Sequence, residues 1–421
     1  MEDRWAYFTD REKQIRAYDR LWERDRPWIL CFDGLSGNGK STLIGWLVDH
    51  RCKPGSPHRP AGTPYARLDL HSPISRQYGR LLRTLTNDLG PHLPPADYAR
   101  YRKRREVIQD DLRRRRIAIE ATQTVTASAG GEVVDVRQEM RLGELIREAE
   151  RHARDALTDA LLDLLETLTG PFVLFLDTYE ALGRSGDEDF EGWLWDALIC
   201  AAHAACPALR VVVGGRDRLH LPSVIGACSP SRLRDFTAFE CGEFLRKRGV
   251  EEMLHAAIYR LTRGHPLVTD MSAALWRLGC EGDRPLALSE LDAVPEIDGR
   301  AESRPEQWLY GRILDRLEPA LQDAARAGVL LRHFDRPTLN ALLAPGVPEA
   351  GTLALDEAAF RRFVALPFVE RRAEGGYRAH DLLRQAQLAW LCRADLDALA
   401  DFMRRAEVYY YRRYERRADP D

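Results

Sequence analysis

No stretch of this chain stays apolar long enough to span a bilayer. Nothing near Met1 has the apolar core of a signal peptide, because residues 1–25 are rich in charge. No Cys-x-x-Cys pair occurs. The eight cysteines (Cys31, Cys52, Cys200, Cys206, Cys228, Cys241, Cys280 and Cys392) are scattered, and Cys31, Cys200 and Cys241 fall in apolar or helical stretches. That pattern points away from zinc sites and disulfides, and towards reduced structural thiols in a cytoplasmic protein. Net charge is only −3 over 421 residues, so no global field directs the chain to nucleic acid or membrane. No repeat recurs at a solenoid period. What remains is the composition of a soluble globular protein with apolar residues for several cores, at a length that suggests about three domains.

The most informative stretch is 27–49, PWILCFDGLSGNGKSTLIGWLVD. The run Trp28 to Phe32 is short, apolar and β-prone, so it predicts a buried strand. Gly34, Leu35, Ser36, Gly37, Asn38 and Gly39 form a glycine-rich turn, followed by Lys40, Ser41, Thr42 and an amphipathic helix to Val48. This is the pattern G-x-x-x-x-G-K-[ST] in its strand–loop–helix setting. Glycines let the backbone wrap a phosphate, and the loop N–H groups with the helix N-terminus face the anion. Lys40 puts a cation on the β- and γ-phosphates. Ser41 offers a hydroxyl to Mg2+, and Thr42 is placed towards the α-phosphate. The ligand class is a nucleoside triphosphate.

Two more apolar runs end in charge. Pro171 to Leu176 runs into Asp177, as a central parallel strand ending at a site does. This is a Walker B pattern, in which Asp177 holds the Mg2+ that Ser41 also touches. Glu180, three residues on, either orients an attacking water or caps the next helix. Leu209 to Gly215 runs into Arg216, which either senses a γ-phosphate or pairs with Asp217. In Arg263-Gly264-His265-Pro266, Gly264 suits a helix end and Pro266 a helix start; the functional alternative sets Pro266 against an adenine ring. The helix containing Ile15, Tyr18, Leu21 and Trp22 either packs only, or brings Arg11 to the adenine side.

The expected organisation is a lead-in helix at 1–26 and a nucleotide-binding domain at 27–235 with a helical insertion near 91–168. A small helical domain follows at 236–300, then a winged-helix domain at 301–390 and a C-terminal helix at 391–421. The fold class is α/β, a P-loop parallel sheet with helices on both faces, followed by the helical and winged-helix domains. Within the insertion, 122–136 reads as a loop or small hairpin. The run Arg113 to Arg116 has Asp110, Asp111 and Glu120 close by, so a solvated face is favoured over nucleic-acid contact. Asp69, ending a candidate second strand, lies near the phosphates or caps the strand. Residues 281–305 read as a linker, and 368–372 with 376–380 as a hairpin.

In this order the pieces resemble the STAND class of P-loop ATPases, the NB-ARC- and NACHT-like signal-transduction switches. The resemblance rests on Phe8-Thr9-Asp10-Arg11-Glu12 before the P-loop and on Asp177-x-x-Glu180. It rests also on the strand-end Arg216, on Gly264-His265-Pro266 as the G-x-P motif, and on Ala379-His380-Asp381 as an MHD-like motif. Asp10 stands where glycine is usual, and Ala379 where methionine is frequent. The resemblance implies that Pro266 packs on adenine and that His380 contacts the ADP phosphates. It implies slow ATP hydrolysis, an ADP-bound closed form, and an ATP-bound open form that self-associates. Such proteins usually carry a repeat sensor and often an effector. Neither is evident here, so the expectation is a fragment or a separate sensor or effector protein.

The alternative is an AAA+-like ATPase acting on DNA through its winged helix. That would need a basic recognition helix, and 355–366 offers Arg361 and Arg362 beside Asp356 and Glu357, a weak DNA face. A small-molecule kinase and a nucleotide-binding scaffold without hydrolysis are the remaining rivals.

Overall fold

The computed structural model describes residues 5–23, 26–55, 62–71, 76–129, 136–168, 170–185, 188–216, 221, 228–282, 284–292, 304–343, 355–372 and 375–418. The chain divides into two compact units. One comprises Arg11–Gly34 and Lys40–Leu233; the other comprises Met1–Asp10, Leu35–Gly39 and Arg234–Asp421.

The first unit is built on a five-stranded sheet. Helix α1 (Glu12–Asp19) precedes strand β1 (Ile29–Asp33), and α2 (Lys40–Leu47) follows the glycine loop. Strand β2 (Tyr65–Asp69) leads to α3 (Tyr78–Leu89) and to two long helices, α4 (Pro95–Ala129) and α5 (Val136–Leu165). Strand β3 (Phe172–Asp177) comes next, then α6 (Glu180–Ser185), α7 (Glu188–Gly192), α8 (Ala201–Ala205), β4 (Leu209–Gly215) and β5 (Ser229–Arg232). The strand order is β2-β3-β4-β1-β5, and every pairing is parallel. Parallel strands need both faces covered, and β1 and β3 are buried at every residue, which is why they read as unbroken apolar runs. Their core includes Ile29, Leu174, Leu176, Val211 and Val213, with Trp195 and Phe190 wholly buried.

Three features depart from expectation. Helix α4 continues through 122–129, where a loop or hairpin was expected; 130–135 lie outside the described residues. The β-branched residues there lower helix propensity by only tenths of a kcal/mol each, and the first glycines come at Gly130 and Gly131. Strand β5 had no apolar signal, because Ser229-Pro230-Ser231-Arg232 is an edge strand, where proline is tolerated. The expected linker at 281–305 contains α12 (Leu288–Asp292), with Leu286 and Leu291 buried and Glu290 accepting the Ala287 N–H; 293–303 lie outside the described residues.

Helices α4 and α5 run antiparallel, pinned by Arg104 to Asp163 and by Arg116 to Glu150 at 2.6 Å. Arg113 and Arg115 pair with Asp110 and Asp111 on their own helix. Acids thus meet the arginine run locally, and such exposed pairs are each worth well under about 1 kcal/mol.

The second unit holds α9 (Ala238–Lys247), α10 (Glu252–Thr262), α11 (Pro266–Glu281) and α12, then α13 (Pro305–Leu314). After these come α14 (Pro319–Leu330), α15 (Arg336–Leu343), α16 (Glu357–Val364), strands β6 (Val369–Arg371) and β7 (Tyr377–Ala379), α17 (Asp381–Ala394) and α18 (Leu396–Ala418). Helix α9 opens with a full capping box between Thr237 and Glu240. Between α10 and α11 the chain turns through Arg263 at φ 52° and Gly264 at φ 78°. A Cβ on Gly264 would lie 2.0 Å from the Phe236 carbonyl oxygen, so only glycine fits there. Helices α14 to α16 and the antiparallel β6–β7 hairpin form the winged helix, with Phe334 bridging to Tyr377 as a third short edge. Phe334, Phe363 and Phe368 are its fully buried aromatics.

All eight cysteines are free. Among the described residues no helix is long and apolar enough to cross a membrane, and no group of three or more His, Cys, Asp or Glu side chains is arranged to hold a metal ion.

Candidate nucleotide-binding site

Parallel strands end together, so the loops that leave them gather along one C-terminal edge of the sheet. Asp33 pairs with Gly215 and Leu176 with Val213, which sets the glycine loop after β1, Asp177 at the end of β3, and Arg216 after β4 along that edge. Strand β4 lies between β1 and β3.

The glycine loop has the backbone that phosphate wrapping requires. Gly37 at φ 84° and Gly39 at φ 80° lie in the left-handed region. Gly34 is fixed by proximity instead: a Cβ there would lie 2.7 Å from the Leu233 carbonyl oxygen. The Lys40 ammonium donates to the Gly34 carbonyl at 2.6 Å, folding the lysine back across the loop. Ser41 sits in the first turn of α2, half-buried, and Thr42 beside it is exposed. Asn38 is buried, and its N–H reaches the Leu35 carbonyl at 3.3 Å.

The Ser41 hydroxyl donates to Asp177 Oδ1 at 2.9 Å. Asp177 is 3% exposed, as a carboxylate with fixed partners can be. These are two oxygen ligands of the hard type that Mg2+ takes, brought together from distant parts of the chain, so the residues present fit that ion. Bound there, Mg2+ would supply positive charge to the phosphate oxygens. Asp69 lies opposite Asp177 in the register, and its Oδ1 accepts the His71 N–H at 3.0 Å.

Glu180 begins α6 and is joined to Arg216. The Arg216 N–H donates to Glu180 Oε2 at 3.1 Å, and the guanidinium Nε lies 2.9 Å from Oε1, with both side chains about 15% exposed. Asp217, the other expected partner of Arg216, lies outside the described residues. Between Asp177 and Glu180, Thr178 adopts φ 60°, a left-handed conformation that is unusual for a β-branched residue. Strained backbone of this kind clusters at functional sites. Arg11 is 5% exposed and sits at the N-cap of α1, which packs on β1 and β5.

Two residues that the sequence did not flag belong to this description. Arg67, on β2, donates from Nη2 to Asp177 Oδ2 at 2.6 Å and to the Ser41 carbonyl at 3.4 Å. Nothing in the strand's pattern distinguishes it from an ordinary polar position. His265, within the second unit, donates from Nε2 to the Ser36 carbonyl at 2.7 Å. A Cβ on Gly37 would fall 2.5 Å from its Cε1, a second reason for glycine there. His265 stands beside Pro266 in the motif, a signal that was available.

Pro266 is the first residue of α11 and is half-buried. His380 is the N-cap of α17: its Nδ1 accepts the Leu382 N–H at 3.2 Å, and its Nε2 lies 3.8 Å from Glu370. On α16, Arg361 pairs with Glu357 at 3.1 Å and Arg362 with Glu318, the N-cap of α14, so both arginines of the candidate recognition helix meet acids.

No protein-family model and no curated protein matches this chain. Among solved structures it is similar to a Signal Transduction ATPase with Numerous Domains (STAND) protein with a tetratricopeptide repeat sensor from Pyrococcus horikoshii. The identity is 12% and the TM-score 0.46, over 96% of this chain and 48% of that one, so this chain spans about half of that protein's length. It is also similar to the ORC2 protein of Aeropyrum pernix (12% identity, TM-score 0.39, 92% and 97% of the two chains). A third match is Cdc6p of Pyrobaculum aerophilum (13%, TM-score 0.40, 90% and 93%). The fold class rests on the chain's own parallel sheet, glycine loop and strand-end groups, and it is that of a P-loop nucleoside triphosphate-binding protein.

Proposed function

We propose that this protein is a nucleotide-controlled molecular switch of the STAND kind, closed with ADP and open and self-associating with ATP, that works in cytoplasmic signalling, defence or regulation. The observation that carries the reading is the Ser41–Asp177 hydrogen bond, which joins the P-loop helix to the end of β3 over 136 residues of sequence. Lys40 takes the β- and γ-phosphates, with Gly34, Ser36, Gly37, Asn38, Gly39 and Thr42 as the cradle. Ser41 and Asp177 hold Mg2+. Arg216 senses the γ-phosphate, Glu180 orients the water that hydrolyses ATP slowly, and Arg11 and Pro266 flank the adenine. His380 contacts the ADP phosphates. A separate sensor or effector protein supplies input and output.

For such a switch to move, ATP and ADP must differ in affinity for the two states; a nucleotide that binds both equally shifts nothing. The test is to purify the chain without added nucleotide, denature it and identify the nucleotide released. Stoichiometric ADP is the expected result. An empty site with rapid ATP turnover would replace the switch by a cycling motor or enzyme.

A further inference from the structure

Among the described residues, each carboxylate oxygen of Asp177 accepts one side-chain hydrogen bond. Oδ1 accepts from Ser41 at 2.9 Å, and Oδ2 accepts from Arg67 at 2.6 Å. Asp177 is therefore already neutralised by a guanidinium, and that same Nη2 also reaches the Ser41 carbonyl at 3.4 Å. Arg67 comes from β2, where it lies opposite Phe175 in the register, two residues short of Asp177, so its long side chain must lean along the strand to reach the carboxylate. Its Nε is buried and has no hydrogen-bond partner among the described residues, which is costly for part of a charged fork. Nη2 thus makes both bonds, while the buried Nε makes none among the described residues. The head group is held through Nη2, by the Asp177 carboxylate and the Ser41 carbonyl.

We propose that Arg67 is a positioning residue that competes with the divalent cation for Asp177, so that metal binding at Ser41 and Asp177 is an exchange with a guanidinium. The inference rests on the nucleotide reading above and adds a residue to it. The physical reason is charge. A second cation arriving within a few Å of Arg67 on one carboxylate is repelled in a medium of low effective dielectric, and the repulsion ends only when the arginine leaves. With the cation elsewhere, Arg67 holds Asp177 and the first turn of α2 in the geometry the metal needs. Metal affinity is lowered by the free energy of breaking the Arg67–Asp177 bond. The unmatched Nε and the freed Nη2 then have an anionic phosphate as their natural acceptor.

The experiment uses the full chain, ADP, and Mn2+ as the metal probe, followed by loss of the free Mn2+ electron paramagnetic resonance signal. First, ADP binding is measured in EDTA. Then Mn2+ is titrated into the ADP-loaded wild type, Arg67→Gln and Arg67→Lys. The expected result is about tenfold or more tighter Mn2+ binding in Arg67→Gln, the size of one lost charge-assisted bond, with Arg67→Lys intermediate. Thermal unfolding provides a second readout. In EDTA, Arg67→Gln should melt lower than the wild type, and Mg2+ should recover more stability in the variant than in the wild type.

Equal or weaker Mn2+ binding in Arg67→Gln, with a melting deficit that Mg2+ does not touch, would make Arg67 a structural strut and overturn the exchange. If Arg67→Gln does not fold, Arg67→Lys decides on the same criteria. A wild type that binds no ADP in either medium would remove the nucleotide reading itself and this inference with it. ADP binding with unchanged Mn2+ affinity removes only this inference.

Discussion

Arg216 grips Glu180 at two points, through its backbone N–H at 3.1 Å and its guanidinium Nε at 2.9 Å. The two groups proposed to sense and to hydrolyse ATP are thus bound to each other. Neither carboxylate oxygen of Glu180 is idle, and a Glu180 that orients water has first to exchange one of these bonds. The pair also makes any change at Arg216 felt at Glu180.

Glu180→Gln keeps the acceptor for the Arg216 N–H and removes the charge. We expect single-turnover ATP hydrolysis to fall by about a hundredfold or more, the usual scale for a lost general base. Nucleotide affinity should change little. Hydrolysis at the wild-type rate would leave Glu180 as the cap of α6 and the anchor of Arg216 only.

Lys40→Ala removes the loop's ammonium, which donates to the Gly34 carbonyl at 2.6 Å. Affinity for ATP and for ADP should weaken by about a hundredfold, as expected for the loss of a charge-assisted contact to phosphate. Equilibrium binding of a fluorescent ADP analogue measures this. Retained tight binding would overturn the assignment of the loop.

His380→Ala separates two roles. As the N-cap of α17, His380 contributes about 1 kcal/mol to stability through the Leu382 N–H. As an ADP contact it would also slow nucleotide release. We expect both a lower melting temperature and ADP release faster by about tenfold, with more of the assembled form in size-exclusion chromatography. A melting shift with unchanged release would confine His380 to the cap.

Asp335 connects α15 to the C-terminal helix. Burial works to raise its pKa, but the Thr338 hydroxyl, the Arg413 guanidinium (Nη2 at 3.0 Å) and the Thr338 N–H (2.9 Å) outweigh it and hold the carboxyl below its ordinary 3.8. A carboxyl depressed in the folded state stabilises the protein fully above its unfolded pKa, and that contribution disappears as pH falls through the folded value. Asp335→Asn should therefore cost stability at pH 7 and little below the carboxylate range. Urea midpoints of both chains across the acid range measure it, and a difference that is flat with pH would contradict the linkage.

Local features were legible in the order of residues. An unbroken apolar run means a strand covered on both faces, which is why β1 and β3 can be read directly, and β4 is interrupted only by Arg210. Glycines flanking Lys40 and Ser41 are demanded by positive φ and by close approach, constraints that act within a few residues. The Pro266 start of α11 and the β6–β7 hairpin belong to the same local class. The C-terminal half of α4 was not legible, because β-branched residues lower helix propensity too little to decide against a long paired helix. Strand β5 was not either, since an edge strand needs no apolar face.

That a P-loop follows β1, that Asp177 and Arg216 stand at strand ends, and that a winged helix comes after could all be read from the order of residues. Short-range sterics and burial are enough to decide these. The packing of the folded chain was needed to place β4 between β1 and β3, to bring Arg216 to Glu180, to rest His265 on the loop carbonyl of Ser36, and to make Arg67 share Asp177 with Ser41. A long polar side chain has several partners within reach along a strand or across a loop. The choice among them depends on which strands pair, and sheet order is set by the packing of the whole unit rather than by any residue's neighbours in sequence.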